Sequence, residues 1–212
     1  MALTTYTELK SQIADWINRS DLDSVIPVFI ELAEKQIKRK LRIREMIRNV
    51  TLTASASTST VSLDGATGFV EVIHAQLADS DRTLLQYLQP SSLFTHSDSS
   101  TTGTPNYFTI SSTTSDVEQI HLRPVPAGST NFEFTYYGFD DLGDTNDSNI
   151  ILDKHPEIYL YLSLANSSSY LIDDDRIGMW ATLAQVAMTE VMRESEQGFY
   201  GQRKNVRYTN DK

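Results

Sequence analysis

No cysteine occurs among the 212 residues. That excludes disulfides, thiolate metal sites and cysteine nucleophiles in one step, and it fits folding in a reducing compartment. No apolar run approaches the roughly 20 residues that cross a bilayer, so no membrane partner is expected. The start, Met1-Ala2-Leu3-Thr4-Thr5, has neither the basic nor the apolar stretch of a secretion signal. The expectation is therefore a protein made in the cytoplasm and not exported by the usual route. Motifs of common chemistries are missing too: no phosphate-binding glycine loop, no GxSxG, no HExxH. The four histidines, His74, His96, His121 and His155, never stand three or four positions apart, so no helix carries a metal-binding pair.

Basic residues are scarce in the middle of the chain. Residues 49–149 hold only Arg82 and Arg123 against twelve acids. Residues 1–48 have nine Lys and Arg against seven acids, and residues 150–212 have seven against nine. The middle section thus carries the equivalent of the whole formal charge of −10. Such a segment repels phosphate and is a poor grip for nucleic acid. A solvated acidic face is the plainer reading.

The residues that are present fall into three sections. Residues 1–48 read as two helices. Thr5 followed by Glu8 has capping-box spacing, and Leu9, Ile13, Trp16 and Ile17 share one helical face. A second helix begins near Leu22 to Pro27 and keeps its period through Phe29, Leu32, Ala33, Ile37 and Leu41. Cations crowd its far end. Lys35, Lys38, Arg39 and Arg42, with Lys40, Arg44 and Arg48 beside them, complement the helix dipole. The first four are candidates for contact with an acidic neighbouring subunit or a phosphate backbone.

Residues 49–149 change period and composition together. β-branched and aromatic segments at 49–53, 69–78, 83–88, 107–110, 117–122 and 132–139 predict five to seven short strands in an antiparallel sheet or barrel. Glycine and proline punctuate them, and Pro90 to Phe94 predicts a helical turn. Asp140, Asp141, Asp144 and Asp147 resemble a calcium loop loosely, without its central glycine placement or closing Glu.

Residues 150–197 return to helix. Asp153 is a candidate N-cap, with Pro156 and Glu157 in a first turn. Asp173-Asp174-Asp175 opens a further helix, whose stripe is Ile177, Trp180, Leu183, Ala184, Ala187 and Val191. Residues 198–212 read as a tail without period. In it Phe199, Tyr200, Arg203, Lys204, Arg207 and Tyr208 are candidate partner-binding residues. The fold class expected is α+β: a discontinuous helical bundle of N-terminal and C-terminal helix pairs, with the β domain inserted between them.

Several short motifs in a fixed order carry a family resemblance. They are Ile26-Pro27-Val28-Phe29-Ile30-Glu31, Gly103-Thr104-Pro105-Asn106-Tyr107-Phe108, His121-Leu122-Arg123-Pro124-Val125-Pro126, Asn149-Ile150-Ile151-Leu152 and His155-Pro156-Glu157-Ile158-Tyr159. Over roughly residues 5–195 this order resembles the head-to-tail adaptors of tailed phages, also called connectors or tail tubular protein A-like proteins. The resemblance implies a structural protein of the virion without enzymatic activity or cofactor. It implies a ring of the chain with itself, commonly of twelve copies, between the portal protein and the tail nozzle or tail tube, with Lys35, Lys38, Arg39 and Arg42 as candidate subunit or portal contacts. Genomic DNA would pass through the bore without sequence-specific binding. Two other classes compete. A host- or carbohydrate-binding tail module would show an exposed aromatic platform, whereas Tyr107, Phe108, Tyr136 and Tyr137 read as strand core. A glycan hydrolase would need two carboxylates about 5–10 Å apart in a cleft.

Overall fold

The computed structural model describes residues 3–79, 81–96, 101–113, 117–170 and 176–201. Among them the chain is α+β. In order it forms α1 (Tyr6–Ile17), α2 (Ile26–Lys40), β1 (Ile47–Ala54), β2 (Thr60–Ser62), β3 (Phe69–Leu77), β4 (Leu84–Tyr87) and α3 (Pro90–His96). β5 (Thr102–Gly103), β6 (Tyr107–Ser112), β7 (Glu118–Arg123), β8 (Val125–Pro126) and β9 (Thr130–Gly138) follow. The chain returns to helix as α4 (Ile150–Lys154), α5 (Pro156–Asn166) and α6 (Arg176–Gly201). It divides into two compact units, Met1–Met46 with Asp140–Lys212, and Ile47–Phe139.

The helical unit starts at the expected capping box. Thr5 Oγ1 accepts from the Glu8 amide at 3.2 Å while Glu8 Oε2 accepts from the Thr5 amide at 3.1 Å. α2 is shorter than its cationic run. Leu41 turns extended, at φ −91° and ψ 126°, and Arg44–Met46 form a 3-10 turn. Arg48 lies in β1. Leu41, Ile43 and Met46 are all fully buried, and an extended backbone can bury Leu41 and Ile43 together on one side, as a helix cannot. The cap of the return helix is Asn149 rather than Asp153. Its side chain accepts from the amides of Ile151 at 3.2 Å and Leu152 at 2.9 Å. Asp153 sits inside α4, and His155, held out of helical geometry before Pro156, separates α4 from α5. α5 packs against α1, α2, α4 and α6, and its Ile158, Tyr159, Leu162 and Leu164 are buried. Asp173, Asp174 and Asp175 lie outside the described residues. α6 runs on through Gly201, so helix occupies the first residues expected to begin the tail.

The β unit holds a seven-stranded sheet in the order β1-β9-β3-β4-β6-β7-β2, mostly antiparallel. One pair in it, β4 with β6, is parallel, and the short β5 and β8 also pair in parallel. The expected all-antiparallel pairing is corrected there: α3 supplies the crossover that a parallel neighbour needs. The core alternates as half-buried strands do, through Phe132, Phe134 and Tyr136 on β9 against Leu52, Ala75, Leu77, Phe108, Ile120 and Leu122. Two of the motifs noted in the sequence meet within this unit. Thr102 pairs with Val125 and Gly103 with Pro126, and the Asn106 amide donates to the Arg123 carbonyl at 3.0 Å.

Candidate functional site

The cationic end of α2 is largely used within the helical unit. Lys35 Nζ is 2.6 Å from Glu31 Oε1 one turn back, an exposed pair. Lys38 Nζ reaches Asp141 Oδ1 at 2.6 Å. Arg39 Nε donates to the Lys35 carbonyl at 3.1 Å, and Arg42 donates to the Lys38 and Leu41 carbonyls, both at 2.7 Å. Arg42 therefore satisfies the Lys38 carbonyl, which the helix end leaves open, whereas Arg39 bonds a carbonyl one turn inside the helix. Lys35 and Arg39 keep their side chains on the exposed face.

The acidic residues 140–147, grouped with the strands by composition, belong to the helical unit and fasten to it. Asp144 Oδ1 pairs with Lys10 Nζ at 3.3 Å, and Asp147 accepts from the Tyr6 and Thr7 amides at the start of α1. Negative charge is favoured at that end of a helix. The loosely calcium-like spacing is thus occupied by protein cations and amides. Among the described residues no three His, Asp or Glu side chains converge as a metal-ligand group.

Beneath this segment lies a residue the sequence reading passed over. Glu34 is 4% exposed, and its Oε1 accepts from the Leu142 amide at 2.7 Å and from the Tyr159 hydroxyl at 3.2 Å. Asn149 Nδ2 donates to the same hydroxyl at 2.7 Å and to the Asp140 carbonyl at 2.8 Å. Burial pushes the Glu34 carboxyl up to about 7; the Leu142 amide opposes the shift and the Asp141 charge adds to it. Burial, with the Glu34 charge next, also raises the Tyr159 hydroxyl. A cavity of about 410 Å³ opens beside Glu34, Lys38, Asp141 and Leu142. Glu34 and Asp141 share it, yet each carboxylate is committed: Glu34 to two donors, Asp141 to Lys38. The arrangement holds the return segment against α2. An acid standing at the Ile30, Ala33, Ile37 stripe was the available signal.

Two helices of this unit expose apolar rows. Val28 and Leu32 of α2 are 47% and 42% exposed. On α6 the buried stripe is Trp180, Ala184, Met188, Val191 and Ser195, whereas Met179, Leu183 and Val186 are 52%, 37% and 47% exposed. Leu183 was expected in the packed stripe; it stands on the open side. Trp16, expected on the buried face of α1, is 40% exposed and meets Tyr161 edge to face at 6.1 Å.

In the β unit, Phe108 and Tyr136 are core residues, and Tyr107 and Tyr137 are half-buried. Tyr87 and Phe94 are about half exposed, but each packs on a neighbour, Tyr87 on Phe108 and Phe94 on His121. His121 Nε2 lies 2.8 Å from Ser111 Oγ. Arg203, Lys204, Arg207 and Tyr208 lie outside the described residues; Phe199 and Tyr200 fall in the last turns of α6.

The amino-acid sequence matches the family model of the SU10 adaptor protein over residues 4–207, a span that takes in both units. The chain belongs to this family. It is a family of phage head-to-tail adaptors, which gives the chain a structural adaptor role in the virion. No curated protein matches the sequence. Among the described residues of the adaptor, no helix is long and apolar enough to cross a membrane. Several motifs behind the resemblance are scaffold residues: Pro27 opens α2, Asn149 caps α4, and Pro156 opens α5.

Proposed function

We propose that the adaptor assembles into a ring, commonly of twelve copies in proteins it resembles, which docks on the portal and joins it to the tail nozzle or tail tube. The observation that carries this reading is the family match across both units, from residue 4 to residue 207. In it the helical unit acts as one discontinuous bundle and builds the ring, with Lys35 and Arg39 facing a neighbouring copy. Lys38 and Arg42 brace the same helix end from within. The β unit holds eight acids to three arginines. A surface of that sign beside the DNA path repels phosphate and lets the duplex slide. The C-terminal residues Phe199, Tyr200, Arg203, Lys204, Arg207 and Tyr208 contact the portal, the rings supplying buried area and the cations orientation.

The test is genetic. Infected cells unable to make the chain should accumulate heads and tails that are never joined, and supplying it should restore complete particles. A chain ending at Gln197, which lacks all six of these residues, should restore few of them. Joined, infectious particles formed without the chain would overturn the reading.

A further inference from the structure

The exposed rows of α2 and α6 match each other in chemistry, spacing and direction. On α2 the outward row is Val28, Leu32, Lys35 and Arg39, apolar in its first half and cationic in its second. On α6 the outward row is Leu183, Val186, Glu190 and Glu194, apolar in its first half and anionic in its second. Each row follows three- and four-residue steps and spans about 16 Å at 1.5 Å per residue. Both lie away from their own helix's buried stripe, which for α2 is Ile26, Phe29, Ile30, Ala33 and Ile37 and for α6 is Trp180, Ala184, Met188 and Val191.

The two helices also run the same way within the unit. Arg176 at the start of α6 donates to the Trp16 carbonyl, in the last turn of α1, which leads into α2. At the other end Ser195 Oγ accepts from the amide of Arg44, four residues past the end of α2. Copies related by rotation about an axis along these helices keep that common direction. α2 of one copy and α6 of the next then lie parallel, as ridges-into-grooves packing allows. Sliding the rows to the register that sets Lys35 against Glu190 sets Val28 against Leu183, Leu32 beside Val186 and Arg39 against Glu194. The exposed Glu31–Lys35 pair is no obstacle, since such pairs are held by little.

We infer that the α2 row of one copy packs along the α6 row of a second copy, a head-to-tail contact between two different faces of the same chain. Contacts of this kind propagate and close into rings. The inference rests on the ring reading and names the surfaces that would build it.

Because the chain has no native cysteine, the contact can be tested by crosslinking. With Val28→Cys and Leu183→Cys in one chain, a short thiol-reactive crosslinker should yield a ladder of multimers, and each single variant should yield none. Adding Lys35→Glu and Arg39→Glu should reduce the ladder tenfold or more. Mixing that chain with one carrying the same cysteines and Glu190→Lys and Glu194→Lys should restore it, since each reversed face then meets its complement. Circular dichroism confirms that each variant is folded. If mass photometry shows the unsubstituted chain in rings while the double-cysteine chain gives no ladder, or charge reversal has no effect on it, this contact is wrong and the ring reading stands. If a folded chain neither assembles nor crosslinks at any concentration, with or without the portal ring, both fall.

Discussion

Glu34 shows how one residue can tie distant parts of this chain together. Its carboxyl receives the Leu142 amide and the Tyr159 hydroxyl, from 108 and 125 positions away. Folding raises its pKa from the ordinary range near 4.5 to about 7, with burial as the main cause. The folded state therefore holds the proton more tightly than the unfolded chain. Its contribution is fully present below about 4.5 and is lost as pH rises through about 7. Thermal unfolding across pH 5 to 8 should show this part of the stability falling by about 2 kcal/mol. Glu34→Gln, which keeps an acceptor oxygen but does not titrate, should flatten that slope; an unchanged slope would mean that Glu34 does not titrate in this window. The residue was visible in the sequence as an acid on an apolar stripe. Its partners were not, because nothing local to Ile30–Ile37 points to residues 142 and 159.

At the scale of elements, short-range chemistry was readable and boundaries were less so. The Thr5–Glu8 capping box, the helical turn after Pro90 and the alternation of β9 follow from neighbours in sequence, and each stands where the spacing put it. The cations of α2 continue past its end, so charge and period alone overstate its length. The switch from helical steps to the buried pair Leu41 and Ile43 marks the true end. The cap was misplaced because Asn149 and Asp153 both precede apolar residues, and only the separation at His155–Pro156 makes two helices there. Asn149 caps α4 and also bonds Asp140 and Tyr159. Asn149→Ala should lower the free energy of unfolding by about 1–2 kcal/mol, measured in urea. Asn149→Asp, which keeps the capping oxygen, should recover part of that loss. Equal losses in the two variants would show that the cap is not what Asn149 contributes.

For the whole molecule, the order helices, strands, helices was legible in the changing period of the sequence. The strand order was not, since β1 meets β9 and β4 meets β6 by tertiary pairing that no local pattern encodes. Nor was the attachment of residues 140–149 to the helices, because their composition matches the strands before them. The candidate surfaces divide the same way. The cations of α2 were evident, yet their internal partners Glu31 and Asp141 appear only in the fold. The open side of α6 was hidden because Leu183 fits either face of the stripe. A family resemblance carried by scaffold residues led to the adaptor role, and the contacts proposed for that role lie on exposed rows outside most of those motifs. The most direct test of that role is negative-stain imaging of the purified adaptor mixed with the portal ring from the same phage. A new layer with the portal's rotational symmetry, on its narrow end, is the predicted result. A folded adaptor that leaves the portal bare at every salt concentration would contradict it.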